Sequence, residues 1–146
     1  MKKRSRDTQP DLSEHVKFPR HKGLFLVIRQ ELPQTLPRDF AFPLAGEEGR
    51  AKIGRGDDND LIFSDDYVSC NHARLTWDAK TGVTIEDLGS KNGTSMTGGM
   101  RLSPGNPVGI LVGYTIIFSS RTRATLERDP LASIPLYTHP IAATQQ

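Results

Sequence analysis

An all-β sandwich is the fold this sequence predicts, and three observations point to it. Apolar and polar residues alternate with a period of two from Ala73 to Asp78 and again from Val83 to Glu86, the pattern of strands with one buried face. Glycine and proline, 13 and 10 of them, cut the chain into pieces of strand length. No stretch of the core region carries an amphipathic helical repeat, and short strands between turn residues build sandwiches.

Taken in order, residues 1–22 mix Lys, Arg, Pro, Asp and Ser without periodicity and are expected to form a disordered basic tail, because they cannot offset ordering entropy by burial. Leu24 to Ile28 is an apolar run of strand length, ended by Leu32-Pro33 and Leu36-Pro37, since proline cannot extend a ladder. Phe40, Phe42 and Leu44 mark a second strand, and Gly46 to Gly49 turns it into a third, Arg50 to Ile53. Ala73 to Asp78 and Val83 to Glu86 form a hairpin through Lys80-Thr81-Gly82. Met100 to Leu102, Tyr114 to Phe118 and Arg123 to Glu127 read as later strands, with a turn at Pro104-Gly105-Asn106-Pro107. The domain is placed at 23–127, followed by a proline-containing C-terminal tail, 128–146. Leu131, Ile134, Leu136 and Tyr137 within it fit either a loose tail or a segment packed along the sandwich.

Charge and composition narrow the function classes. The 146 residues, 36% apolar and 25% charged, suit one soluble domain with tails. Residues 1–22 carry seven of the 19 basic residues and three of the 17 acidic ones, leaving 12 against 14, a net −2, in the remainder. Basicity therefore belongs to the tail, which argues against nucleic acid as a partner. No apolar run reaches membrane-spanning length, and the polar stretch Ser5 to Glu14 after Lys2-Lys3-Arg4 does not read as a signal peptide. Cys70 is the single cysteine, which rules out an intrachain disulfide and is compatible with a reducing, cytoplasmic setting. Cys70 and His72 lack a second pair at metal-binding spacing, so neither metal nor cofactor is expected.

Three polar motifs stand between the strands: Gly54-Arg55, Ser69-Cys70-Asn71-His72-Ala73 and Asp87-Leu88-Gly89-Ser90-Lys91-Asn92-Gly93-Thr94. A guanidinium, a hydroxyl and an amide converging in loops at one end of a sandwich suit an anion with several acceptor oxygens, such as phosphate. Each motif has an ordinary reading as well: Gly54 as a tight turn, Asn92-Gly93 as a hairpin turn, His72 as a structural histidine. Ser69, His72 and Asp87 do not make a hydrolase, because no Gly-x-Ser-x-Gly elbow is present, and Gly54-Arg55-Gly56 lacks the Gly-Lys-Ser/Thr ending of a P-loop. No enzymatic activity is expected.

Together with Asn59 and Ile62, these motifs resemble the forkhead-associated (FHA) domain family in order and spacing, over about Gly23 to Glu127. The resemblance implies a β-sandwich of two twisted sheets, about 11 short strands, with ligand-binding loops at one end. It implies a phosphothreonine-dependent interaction module in Ser/Thr kinase signalling, with a phosphothreonine protein or peptide as partner and a kinase upstream. On the matching positions, Arg55 and Ser69 would hold the phosphate and Asn92 the peptide backbone, while His72, Gly54 and Gly93 would support the loops. Two positions depart from the usual pattern: Cys70 stands where Arg, Lys or Asn is common, and Lys91 where Thr or Ser is. Lys91 can reach a phosphate as a mobile charge or point to solvent. Tyr114 after Gly113 replaces a usual acidic residue. The alternative is a degenerate scaffold of the same fold that binds its partner independently of phosphate. Thr8, followed at the third position by Asp11 in the basic tail, is a candidate phosphosite.

Overall fold

Proline-interrupted, alternating segments give eleven strands: β1 Leu24–Gln30, β2 Arg38–Pro43, β3 Glu48–Gly54, β4 Leu61–Ile62, β5 Ala73–Asp78, β6 Gly82–Asp87, β7 Ser95–Met96, β8 Met100–Arg101, β9 Val108–Ile110, β10 Thr115–Ile117 and β11 Thr122–Arg128. The computed structural model describes residues 18–141. One sheet has the order β2-β1-β11-β10-β7-β8 and the other β4-β3-β5-β6-β9. Every pairing is antiparallel except β3 with β4, where Ile53 lies beside Leu61 and Gly54 beside Ile62.

The alternation does what it predicts. In the hairpin of β5 and β6, Leu75 faces Ile85 and Ala73 faces Asp87, all buried, while Thr76 opposite Thr84 points outward with Arg74 and Glu86. The inward rows of both sheets meet in one core of Leu26, Ile28, Phe40, Ile53, Leu61, Phe63, Leu75, Ile85, Ile116, Phe118 and Leu126 with smaller neighbours. Each of these large side chains stabilises the fold by about 1.5–3 kcal/mol through burial. Phe63 meets Phe118 edge-on, ring centres 5.1 Å apart. His72 meets the same Phe118 ring edge-on at 5.7 Å, which ties the core to the loops above it.

Three strands are not among those expected from alternation: β4, β7 and β9. They hold two or three residues each, too few for a period to register. The strand expected over Tyr114–Phe118 is Thr115–Ile117, because Leu111 to Tyr114 closes as a turn with Gly113 at φ 96°.

The chain ends depart from the expected tails. Residues 1–17, with Thr8, lie outside the described residues. The last part of the stretch expected to be disordered is instead bonded: Arg20 bridges Leu131, the His21 amide donates to Pro130 O and the Ala132 amide to Pro19 O. The C-terminal segment takes the packed alternative. Ile134 covers a second small apolar cluster of Phe25, Val27 and Ala41 on the outer sheet face. Leu136 then pairs in parallel with Ala41, and the Tyr137 ring packs on Phe40 and Phe42.

Candidate functional site

β3 ends where its main chain must pass another. A Cβ on Gly54 would stand 2.2 Å from Cys70 O, so only glycine lets the loop after β3 run against the loop before β5. The two loops are joined by Arg55 N–H to Ser69 O (3.0 Å) and Gly56 N–H to Cys70 O (3.2 Å). The Asn59 side chain, 2% exposed, adds bonds from Nδ2 to Gly56 O (2.8 Å) and Cys70 O (2.6 Å). Asn59 thus stitches the arginine loop to the serine loop.

Arg55 is exposed, and its Nε donates to Val68 O at 3.0 Å. That bond orients the guanidinium plane, while its two terminal nitrogens have no hydrogen-bond or ion-pair partner among the described residues. Ion pairs among those residues involve Arg29, Lys52, Arg74 and Arg123, and none of them neutralises Arg55 or Lys91.

The serine loop is held from below by two residues that the sequence does not flag. Buried Asp65 accepts Ser119 Oγ and Thr122 Oγ1, both at 2.6 Å, and the Tyr67 amide at 2.9 Å. Burial pushes its carboxyl up, but these hydrogen bonds and the Arg121 charge outweigh burial and hold it below the usual carboxylate range. Tyr67, so placed, lies 4.3 Å under the Arg121 guanidinium. Beside it begins an open depression of about 400 Å³, lined among others by Asn92, Gly93, Ile117, Ser119 and Ser120.

His72 is fully buried and bridges two loops. Its Nδ1 accepts the Ser69 amide at 3.0 Å, so Nε2 carries the proton and donates to Gly93 O at 3.1 Å. Burial lowers its pKa below the ordinary histidine value, against the opposing pull of the Gly93 bond, Asp87 and Asp65. The ring contacts the main chain of Ser69 and not its hydroxyl, which removes any Ser–His relay.

The third loop is closed by buried Asp87, at the end of β6. It accepts Ser90 Oγ (2.5 Å), Thr94 Oγ1 (2.6 Å) and the amides of Gly89 (3.0 Å) and Ser90 (3.1 Å). Burial raises its pKa, but the four donors more than offset that and leave it below the usual range. Gly93, at φ 86°, completes the turn in the left-handed region, and the Arg101 guanidinium lies where a Cβ would be, within 2.5–2.8 Å. The Lys91 amide then donates to Ser69 Oγ at 2.9 Å, and Asn92 Nδ2 to Tyr67 O at 3.1 Å.

The fold therefore brings Arg55, Ser69, Cys70, Lys91 and Asn92 to one end of the sandwich, with Gly54, His72 and Gly93 forming the loops beneath. Arg55, Cys70, Lys91 and Asn92 are exposed and Ser69 is half-buried. Ser69 Oγ accepts from Lys91, which leaves its own proton to give. Asn92 keeps its amide oxygen and one N–H for a ligand. Cys70 presents its carbonyl inward to Asn59 and Gly56, so its contribution to the loop is main-chain. Among the described residues no cluster of three or more His, Cys, Asp or Glu could hold a metal ion, and no helix is long and apolar enough to cross a membrane.

Residues 51–119 match the family model of the FHA domain. The FHA domain-containing protein FhaB of Mycobacterium tuberculosis is 44% identical over 63 residues, which are 40% of this chain and 40% of FhaB. The match thus spans well under half the length of that relative. The FHA domain of the CT664 protein from Chlamydia trachomatis shares the fold at a TM-score of 0.55 and 20% identity, over 70% of this chain and 96% of that one. Mycobacterium tuberculosis EmbR, in complex with a low affinity phosphopeptide, is 25% identical with a TM-score of 0.50, over 78% of this chain and 26% of that one.

Proposed function

This chain belongs to the forkhead-associated domain family, and from that premise we propose that it is a phosphothreonine-dependent interaction module that binds proteins marked by a Ser/Thr kinase in the cytoplasm. The observation that carries the reading is the set of unspent donors at the loop end: the terminal guanidinium nitrogens of Arg55, the Ser69 hydroxyl, the Lys91 ammonium and the Asn92 amide. A phosphate monoester brings about −1.5 to −2 charges and three acceptor oxygens at neutral pH. Arg55 answers it with a planar pair of donors, and Ser69 with one O–H. Lys91 adds a point charge that needs no fixed geometry. Asn92, with one acceptor and one donor free, pairs with the main chain of an extended peptide, which presents the complementary N–H and C=O. The solved EmbR complex with a phosphopeptide supports this reading by likeness.

The test is calorimetry with an oriented peptide library around one fixed central position. Phosphothreonine at that position is expected to bind with a dissociation constant of about 1 μM, near −8 kcal/mol. Unmodified threonine is expected to give no measurable heat. Equal binding of the two forms overturns the proposal in favour of the phosphate-independent scaffold, the reading that Cys70 and Lys91 would then support.

A further inference from the structure

The C-terminal segment does more than cover an edge. It leaves β11 through Asp129, whose φ of 51° turns the chain back and whose carboxylate accepts the Gly23 amide at 2.6 Å. After Ile134 has packed on the outer face, Pro135 O accepts the Ala41 amide at 2.9 Å and the Tyr137 amide donates to Ala41 O at 2.8 Å. Beyond this point it reaches β4 and the loop that leads into it. The Tyr137 hydroxyl oxygen accepts the Ile62 amide at 2.9 Å, and His139 Nε2 donates to Asn59 O at 2.9 Å.

Asn59 and Ile62 bracket the return from the arginine loop into β4. The first of these anchors, Asn59, also carries the carboxamide that stitches Gly56 O to Cys70 O. Main-chain displacement at Asn59 or Ile62 therefore moves the bond that sets the distance between the Arg55 loop and the Ser69 loop. Ile62 also adjoins Gly54 in the parallel pairing, one residue before Arg55, and Phe63 N–H closes on Gly54 O at 2.9 Å.

We propose that the segment 129–141 is a positioning strap for the phosphate loops: docked, it holds the Asn59–Ile62 return in place and with it the spacing of Arg55 and Ser69. Strap docking and phosphopeptide binding are then linked, each strengthening the other by the same factor. The inference rests on the reading of these loops as the phosphate site, but its structural half stands without a ligand. A partner that pulled the strap from the edge of β2 would weaken phosphopeptide binding without touching the site.

The experiment uses the full chain and Tyr137→Phe, which deletes the hydroxyl and keeps the ring on Phe40 and Phe42. Amide hydrogen exchange is followed residue by residue, alongside titration with the phosphothreonine library. The variant is expected to exchange Arg55 and Gly56 amides faster than the parent while the β1–β11 amides are unchanged, a local pattern that a general loss of stability does not produce. Its phosphopeptide affinity is expected to fall about five- to tenfold, within the range of typical coupling between sites. In the parent, saturating phosphopeptide should slow exchange at Ile62 and Tyr137. Unchanged Arg55 and Gly56 exchange in the variant overturns the strap. If the parent binds no phosphopeptide, the proposed function fails, whereas the exchange comparison still decides the strap by itself.

Discussion

Replacing Gly54 with alanine puts the whole site under a defined load. The new Cβ would lie 2.2 Å from Cys70 O and 2.8 Å from Cys70 C, where ordinary contact begins at 3.4 Å. Both are main-chain atoms, so relief requires the two loops to separate by about 1 Å. Separation on that scale takes the Arg55–Ser69 bond from 3.0 Å and the Gly56–Cys70 bond from 3.2 Å beyond hydrogen-bonding distance. Overpacking of this kind costs about 1–3 kcal/mol, and two weakened hydrogen bonds add about 0.5–1.5 kcal/mol each. The total is about 2–6 kcal/mol, which for a domain of this size lowers Tm by roughly 6–24 °C. Phosphopeptide affinity should fall further than stability alone explains, because the displaced atoms carry Arg55 and Ser69. The assay is thermal unfolding with and without phosphopeptide, compared with Leu126→Ala, a core truncation in β11 expected to cost a similar amount. A Gly54→Ala protein that melts within about 2 °C of the parent and binds as tightly refutes the close-approach argument.

Arg55→Ala should weaken phosphothreonine binding about ten- to a hundredfold, or 1.5–3 kcal/mol, the contribution of hydrogen bonds to a charged group; parental affinity by calorimetry would mean that the anion sits elsewhere. Lys91→Ala should weaken binding and flatten its salt dependence if the ammonium meets the phosphate, whereas Lys91→Thr binding as well as the parent would mean that the lysine has no part. Stability should fall with acidification. His72 titrates below its unfolded value of about 6.5, so the unfolded chain takes up its proton first, and the stabilisation present above about pH 6.5 is lost as pH falls through the folded value. Asp65 and Asp87, both held low, stay charged through that range and act only below about pH 4. Urea unfolding from pH 7 to pH 5 checks this, and a His72→Gln protein with the same pH profile as the parent would contradict it.

The hairpin of β5 and β6 was legible because its six-residue strands alternate cleanly. Leu61–Ile62 was not, since two residues display no period and its parallel pairing with β3 depends on the path of the loop between them. At the loop end, the meeting of Arg55, Ser69, Lys91 and Asn92 could be read from their motifs and from the family resemblance. The role of Asn59 could not, because its carboxamide acts on main-chain carbonyls that any residues would supply. Asp65 was hidden for another reason: its partners Ser119 and Thr122 lie 54 and 57 residues away, and Ser64-Asp65-Asp66 reads locally as a plain polar loop. The packed C-terminal segment turned on Tyr137, an isolated aromatic whose partners belong to two strands of different sheets, β2 and β4.

The way Asp87 closes its loop has a consequence for how such a module can diversify. All four donors to its carboxylate come from Gly89, Ser90 and Thr94, and Gly93 N–H returns to Ser90 Oγ. The Lys91 side chain takes no part in that closure, and the Asn92 side chain reaches outward to Tyr67 O. Shape and display are thus assigned to different residues within eight consecutive positions. A substitution at 91 alters what the loop displays and leaves intact the bonds that make it a loop. The displayed chemistry can therefore be changed one side chain at a time, with no need to refold the surface that presents it.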